Sequence, residues 1–327
     1  MQRLHRKNLY WMALIALIYG VLTALIHWNI ITPFYQNTLM TIMFNMIYAL
    51  GLNLVLGVAG QFTLGHAGFI ALGAYSTAVM SRMVDNPYLA LALGMLIGVL
   101  LAVVVALVVG IPTLRLKGDY LAIATLGVGE IIRVCINNWR SVTNGPAGIA
   151  GITNVTSWQL TYALLVLTTI LILNYAYSSI GRATRAIAQD DIAAEAMGIR
   201  LTRYKVAAFV LAAATAAVGG ALQATYIGVV TPSDFTFNRS IDILIIVVFG
   251  GIGSFTGAII AAVVLGILNL VLQDYGQLRM VIYGVALIVI MIFRPGGLLG
   301  THEWRLASWI ERWFKPTDSN QATKEVA

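Results

Sequence analysis

Long apolar runs separated by short polar segments dominate this chain. Within the runs apolar residues are continuous, whereas a strand of a membrane β-barrel alternates apolar and polar residues over about ten positions. Most runs approach the roughly 20 residues that a helix needs to cross a bilayer. The pattern therefore predicts an all-α, polytopic transmembrane helical bundle with about ten spans, in a range of eight to eleven. The predicted spans are 9–28, 37–56, 67–84, 88–110, 119–137, 158–177, 205–229, 241–255, 257–273 and 279–293.

Basic residues between these runs predict the orientation of the bundle. When the N-terminus is placed in the cytoplasm, fifteen of the 20 Lys and Arg residues fall on the inside and four on the outside. Arg133 falls within a span. Because cytoplasmic loops of membrane proteins carry an excess of Lys and Arg, we predict an even number of spans with both termini inside.

Composition agrees with a membrane protein and excludes several other classes. Hydrophobic residues make up 59% of the chain and charged residues only 10%, against about 25% charged in ordinary soluble domains. The net charge of +7 is spread along the chain, so no nucleic-acid-binding stripe is predicted. The single cysteine, Cys135, excludes an internal disulfide, and the four histidines lie too far apart to predict a metal site.

Both ends of the chain need separate interpretations. The first apolar run is longer than a signal-peptide core and lacks a convincing cleavage site, so we predict a retained helix, with a cleaved signal as the alternative. Residues 1–300 are assigned to a transmembrane domain. Residues 301–327 are assigned to a cytoplasmic interfacial helix, rich in Trp and Arg, followed by a disordered tail.

Two glycine-rich stretches interrupt the helical pattern at membrane depth. The first break covers 57–68 and the second covers 250–257, and neither contains a charged residue. Irregular backbone in a membrane occurs where protein or a water-filled cavity satisfies its polar groups, and such breaks can mark a substrate path. Tight turns between ordinary helices explain the pattern equally well. The path candidates in these breaks are Gly60, Gln61, Gly65, His66, Gly250, Gly251, Gly253 and Ser254.

Glu130 and Arg133 place ionisable groups inside the predicted span 119–137. Charged residues at that depth are expensive and mark functional sites by default, so Glu130 joins the path candidates. Their spacing of three residues lets the two side chains pair on one helix. A structural ion pair that locks helices together is the preferred interpretation here.

The polar segment 178–204 contains a short helix with termination signals at both ends. Asp190 and Asp191 supply an N-cap oxygen, and Gly198 suits the left-handed position after the last turn. Since a plain connector needs neither the caps nor a face of small residues, we predict that the segment docks a partner. The candidate docking residues are Arg182, Asp191, Ala193, Ala194, Glu195, Ala196, Met197 and Gly198.

This segment resembles the cytoplasmic loop of ABC-importer permeases, and the chain as a whole resembles branched-chain amino acid permeases of the LivM type. One departure is Ile192, which stands where the general loop motif begins with Glu. The remaining blocks occur in order through most of residues 45–300. They are 51–57, 65–67, 114–120, 129–133, 137–139, 145–149, 181–199, Pro232, Phe235, 250–254 and 293–295.

The resemblance implies a permease subunit of an ATP-driven importer in a bacterial inner membrane. It implies a second, LivH-like permease, two cytosolic ABC ATPases and a periplasmic or lipid-anchored binding protein as partners. The chain has no G-x-x-x-x-G-K-[ST] motif, so we predict no cofactor on this chain and assign ATP and Mg²⁺ to the ATPases.

Several functions remain as alternatives. Related permeases carry branched-chain amino acids, and others carry further zwitterions, amides or urea, so the substrate stays open. An ion-coupled carrier would place several carboxylates in its spans, and only Glu130 qualifies. A membrane-embedded enzyme would need a catalytic cluster, and the scattered histidines supply none. A purely structural subunit would not need broken spans.

Overall fold

The computed structural model describes residues 2–28, 31–114, 116, 118–275, 281, 284–285, 288, 292 and 296–300. The predicted last span, 279–293, is described only at isolated positions. The predicted interfacial helix and tail at 301–327 lie outside the described residues. Helix α1, Gln2–His27, belongs to a different compact unit from the remaining helices and is described by itself. Its apolar part, Ala13–His27, is shorter than the other candidate spans.

The described residues from Pro33 onward form a helical bundle, as the sequence predicted. Within the described part of the chain, its β-structure is one pair of two-residue strands. The helices are α2 (Pro33–Asn53), α3 (His66–Met83), α4 (Pro87–Thr113), α5 (Asp119–Asn138), α6 (Arg140–Thr143), α7 (Trp158–Tyr177), α8 (Ser179–Gln189), α9 (Asp191–Ala196), α10 (Leu201–Ile227), α11 (Phe237–Gly250) and α12 (Phe255–Val271), and the strands are β1 (Ile149–Ala150) and β2 (Val229–Val230). A π-helical turn extends α2, and short 3₁₀ turns occupy Gly145–Ala147, Pro232–Phe235 and Leu272–Tyr275.

Four described helices are long and apolar enough to cross a membrane: α2 with its π-turn, α4, α7 and α10. The bent pair α11–α12 passes the same test as one unit, with a bend of 118° between its halves. A polytopic all-α membrane protein is therefore confirmed. Predicted spans near 67–84 and 119–137 correspond to α3 and α5, which are helical but do not pass the test alone, so the count of about ten stays a prediction.

Small residues bring α3, α4 and α10 together. The buried positions of α4 repeat every fourth residue, which leaves large side chains such as Val104 and Val108 exposed on the opposite face. A Cβ added to Gly94 would lie 2.5 Å from Thr77 Cα on α3. Helices in lipid associate through such close backbone approach, so Gly94 and Gly98, which are four residues apart, allow the helices to pack closely. The α4 stripe is Ala90, Gly94, Gly98, Ala102, Ala106 and Gly110.

The two ends of the bundle differ. One end carries the β1–β2 pair, in which Ile149 lies opposite Val230, together with the start of α2. We call it the β end. The other carries α8 and α9, between α7 and α10, and we call it the α9 end. Because α2 runs from the β end toward α9, its last turns and the first break lie at the α9 end.

Candidate functional site

The first break begins where α2 changes its hydrogen-bonding pattern. Over Leu54–Val58 the helix widens to a π-turn, and Ala59 N donates to Leu54 O at 3.1 Å. Turns of this kind are rare in proteins, and those that do occur often lie at functional sites. Gly60 then adopts a left-handed conformation, with φ of 64°, and directs the chain away from the α2 axis. The break is thus an irregular segment of 59–65 between α2 and α3, as the glycines predicted.

Three buried polar side chains lie in this break or directly after it. Gln61, Thr63 and His66 are each at most 4% exposed. Neither polar atom of the Gln61 side chain, nor Thr63 Oγ1, nor His66 Nε2 has a hydrogen-bond partner among the described residues. Leaving such a group unsatisfied costs about 1–3 kcal/mol. A solute, a water molecule or a moving partner that enters this region can therefore form hydrogen bonds with these groups.

The far side of the first break is fixed against α5 and α11. Leu64 N donates to Thr125 Oγ1 at 3.1 Å, and Ala67 N donates to Ser240 Oγ at 3.0 Å. A Cβ on Gly65 would lie 2.2 Å from Thr125 O, so this glycine is required by packing. Gly65, a predicted path candidate, therefore holds the start of α3 against α5.

The second break is a tight turn in which polar groups find partners within the chain. Gly251 and Gly253 have φ of 109° and 89°, conformations that favour glycine. Ser254 caps α12 by accepting from Gly257 N at 3.0 Å. Gly250 O accepts from Leu299 N, and Phe249 O accepts from Leu298 N at 2.8 Å. The carbonyls at the end of α11 are therefore satisfied by the segment that follows the last predicted span.

The two breaks meet through Asn53. Its side chain accepts from Gly253 N and donates to Ser254 O, both at 2.8 Å. A Cβ on Gly57 would lie 2.3 Å from Gly253 N, so the backbones are in contact. In the sequence, Asn53 is an isolated polar residue in an apolar run. Its role in joining residues 200 positions apart could not be read from that pattern.

Glu130 and Arg133 form the predicted pair on α5. Arg133 Nη2 lies 2.7 Å from Glu130 Oε2, and both side chains are about one-third exposed. The pair closes within one helix, so the expectation that it locks two helices together has no support among the described contacts. Gly129, its neighbour, lies against Gly65 and Gly68 at the start of α3. Glu130 therefore directly follows a residue that contacts the first break, while its carboxylate is held by Arg133.

The short helix of segment 178–204 has the predicted caps. Asp190 accepts from Ile192 N at 2.8 Å and from Ala193 N at 3.1 Å. Gly198 ends the turn with φ of 81°. Asp191 forms an ion pair of 3.0 Å with Lys205, which ties α9 to the start of α10. Asp191 was predicted as a docking residue, and here it also fixes α9 to its own chain.

One face of α9 is exposed and apolar. Ile192 and Met197 are 78% and 83% exposed, and Ala193 and Ala196 lie beside them on the surface. Ala194 is buried against the chain itself, so it is not part of the exposed face. Ile192, the departure from the family motif, thus occupies a prominent position. The other predicted docking residues, Arg182, Glu195 and Gly198, are exposed.

A cavity of about 360 Å³ separates the first break from α8 and α9. It is lined by Gly60 and Gln61 of the break and by Asp191 and Lys205. At its edge a Cβ on Gly60 would lie 3.0 Å from Ala188 Cβ, so the break and α8 are already in contact. We call this the α9 cavity. The structure therefore places the docking segment and the first break side by side, while Gly250 packs against Gly257 and Gly251 packs against Gly300.

Comparison with known proteins gives a consistent family. Residues 34–292 match the family model described as the permease component of branched-chain amino acid transport systems. The chain is 36% identical over 224 residues to the high-affinity branched-chain amino acid transport permease LivM of Salmonella typhimurium, covering 58% of this chain and 53% of that protein. It is 35% identical over 148 residues to the corresponding LivH permease of Escherichia coli K12, covering 45% of this chain and 47% of that protein.

The chain therefore spans about half the length of the curated relatives it matches. No solved structure matches it.

Proposed function

This chain belongs to the family of branched-chain amino acid transport permeases, and from that membership we propose that it is a permease subunit of an ATP-driven importer. With a second, LivH-like permease it forms the path for small amino acids, foremost leucine, isoleucine and valine. The names of the relatives support this substrate class. Another small zwitterion, an amide or urea is the alternative cargo.

The proposed setting is a bacterial inner membrane. The chain crosses it about ten times, with both termini and residues 178–204 in the cytoplasm, as the distribution of Lys and Arg supports. A periplasmic or lipid-anchored binding protein delivers the substrate at the β end. Two cytosolic ABC ATPases, which use ATP and Mg²⁺, act at the α9 end.

The contact between α8 and the first break carries this proposal. An ATPase that closes on Ile192 and Met197 moves α9 as one unit, because Asp190 caps it and the Asp191–Lys205 pair ties it to α10. Ala188 of α8 abuts Gly60, so the motion has a direct route to the buried Gln61. The path then changes its polar lining as the ATPases open and close.

Uptake in cells tests the transport function. A strain lacking this chain is expected to lose high-affinity uptake of radiolabelled L-leucine, and a plasmid copy should restore it. Uptake of labelled urea and of a labelled neutral amide is measured in the same strains, because these are the alternative cargos. Normal leucine uptake in the deletion strain, in cells that have no other leucine importer, would refute the proposal.

The docking role is tested separately by Ala193→Arg, which places a long charged side chain on the exposed face of α9. We expect loss of ATPase association while membrane insertion continues. Ala147→Arg, at an exposed alanine of the β end, is the matched control and should leave association unchanged. Co-purification of the ATPases with Ala193→Arg at the wild-type yield would show that α9 is a simple connector.

A further inference from the structure

A second cavity, of about 370 Å³, opens at the β end where α2 begins, α10 ends and α11 begins. Its volume lies within the range of about 300–1,000 Å³ that small-molecule sites occupy. Most of its lining is polar but uncharged, and Arg239 is the charged residue among the described residues that line it. We call it the β-end cavity. Its lining is Asn37, Thr41, Phe44, Asn154, Gln223, Tyr226, Ile227 and Arg239.

Arg239 is held in a fixed position but forms no ion pair with a described residue. Its Nη2 donates to Asn45 Oδ1 at 3.0 Å, and its guanidinium carbon lies 5.5 Å from the centre of the Tyr48 ring. The guanidinium carries five N–H donors in a planar fork, so most of them remain available to an anion. Planar, bidentate recognition of a carboxylate is the contact for which this group is best suited.

The neighbouring polar groups are fixed as well. The fully buried Tyr48 donates from its hydroxyl to Gln223 Oε1 at 2.7 Å, while its ring lies under Arg239. Tyr226 donates to Asn37 Oδ1 on α2. Tyr48 therefore fixes the position of both the Arg239 guanidinium on α11 and the Gln223 amide on α10. Such preorganisation lowers the ordering cost of binding a small ligand.

We propose that the β-end cavity receives the free amino acid after its release from the binding protein. Arg239 binds the α-carboxylate, and amide oxygens of Asn37 and Asn154 accept from the α-ammonium. Phe44 and Ile227 contact the apolar side chain. Tyr48 is a positioning residue, since it lines no part of the cavity itself. This inference rests on the proposed transport function and adds the site at which the permease recognises its zwitterionic cargo.

The main rival is a docking role, in which Arg239 binds an acidic loop of the binding protein. Arg239 is only partly exposed, and Asn45 and Tyr48 hold it against α2. An arginine that reaches a protein surface would extend from the bundle instead. The placement of Arg239 therefore favours a small ligand over a protein loop.

Ligand binding by the assembled transporter tests the site directly. The complex is purified in lipid nanodiscs without binding protein, and L-leucine binding is followed by saturation-transfer difference NMR. We expect Arg239→Gln to weaken leucine binding at least tenfold and Arg239→Lys to weaken it less. L-leucinol, which lacks the carboxylate, should bind poorly to the wild-type transporter and equally poorly to Arg239→Gln.

Matched variants control for charge and for folding. Arg82→Gln removes the same charge at the same end but outside the β-end cavity, and it should bind leucine as wild type does. Tyr48→Phe keeps the ring and removes the hydroxyl bond to Gln223, so a three- to tenfold loss is expected. Tyr88→Phe, at a tyrosine that is 71% exposed, should have no effect. Should Arg239→Gln fail to assemble, Gln223→Leu serves as the second test and should weaken leucine binding at least threefold.

The outcomes separate this inference from the proposed function. Unchanged leucine binding by assembled Arg239→Gln, in a transporter that imports leucine in cells, would overturn the site and leave the transport function standing. Unchanged leucine binding combined with loss of stimulation by the binding protein would establish the docking role instead. Failure of the wild-type chain to restore leucine uptake would remove the transport function itself.

Discussion

The two glycine-rich breaks look alike in sequence and differ in how their polar groups are satisfied. At the second break, Ser254, Asn53 and the backbone of Leu298 and Leu299 provide partners for the turn. At the first, Gln61 and neighbouring side chains are buried without partners among the described residues. Glycine content therefore locates a break, whereas the pattern of hydrogen bonds indicates its use. We infer that the second break is a structural anchor and the first is the adjustable part of the path.

The largest expected effect is at the point where the breaks touch. Gly57→Val should prevent assembly, because its Cβ would lie 2.3 Å from Gly253 N and neither backbone can move without breaking the Asn53 bonds. Gly127→Ala, at a glycine with open space around it, is the matched control. Fluorescence-detected size-exclusion chromatography measures the yield of monodisperse protein. A wild-type yield for Gly57→Val would show that the two breaks separate easily.

Asn53→Ala comes next. It removes one buried and one partly buried hydrogen bond, each with a net contribution of about 1 kcal/mol, and takes the side-chain acceptor away from Gly253 N at a further cost of about 1–3 kcal/mol. We expect a lower melting temperature in detergent, measured by the fluorescence of the native tryptophans. Asn138→Ala, which removes a single exposed side-chain bond within α5, is the control. Equal melting temperatures for the two variants would contradict the role of the second break as a structural anchor.

Gln61→Leu and Ser254→Ala test most directly whether the first and second breaks differ in role. Gln61→Leu removes a buried polar group that has no partner among the described residues, so stability should rise or stay within about 1 kcal/mol while leucine uptake falls several-fold. Ser254→Ala removes a helix cap, so stability should fall by about 1 kcal/mol while uptake per assembled protein is retained. The assays are thermal unfolding and uptake normalised to membrane yield. A loss of stability in Gln61→Leu together with a loss of uptake in Ser254→Ala would reverse the roles of the two breaks.

The smallest effect is expected at the contact between the first break and α8. Gly60→Ala introduces left-handed strain of about 1–2 kcal/mol and a contact of 3.0 Å with Ala188 Cβ. Gly151→Ala, at the β end, introduces the same strain with nothing within 4 Å. If the contact transmits motion, Gly60→Ala should change the ratio of ATP hydrolysed to leucine transported about twofold, and Gly151→Ala should not. Identical ratios would remove Gly60 from the coupling route.

Local chemistry explains why much of this could be predicted. The apolar runs gave helices near the expected positions, and the caps Asp190 and Gly198 took their predicted places, because these features depend on residues within a few positions. The Glu130–Arg133 pair also formed, since its spacing lies within one helical turn. These interactions need no knowledge of the rest of the chain.

Long-range packing explains what the sequence did not show. Asn53 reads as one polar residue in an apolar helix, and its partners Gly253 and Ser254 lie about 200 positions later in the sequence. Arg239 reads as a basic residue in a loop, yet it meets Asn45 and Tyr48 of α2. Ala194 differs from its neighbours only by the side of α9 on which it falls. In each case the decisive contact joins segments whose adjacency appears only in the folded bundle.

The π-turn at Leu54–Val58 also has a consequence for insertions and deletions. A hydrogen bond that spans five residues instead of four, as from Ala59 N to Leu54 O, amounts to one extra residue accommodated inside a helix. Deleting Val58 would convert the turn to regular α-helix and rotate everything before it by about 100° relative to the break. Comparisons among permeases of this family should therefore look for one-residue gaps at this turn, since a chain that lacks the extra residue would present a different face of α2 to its second break.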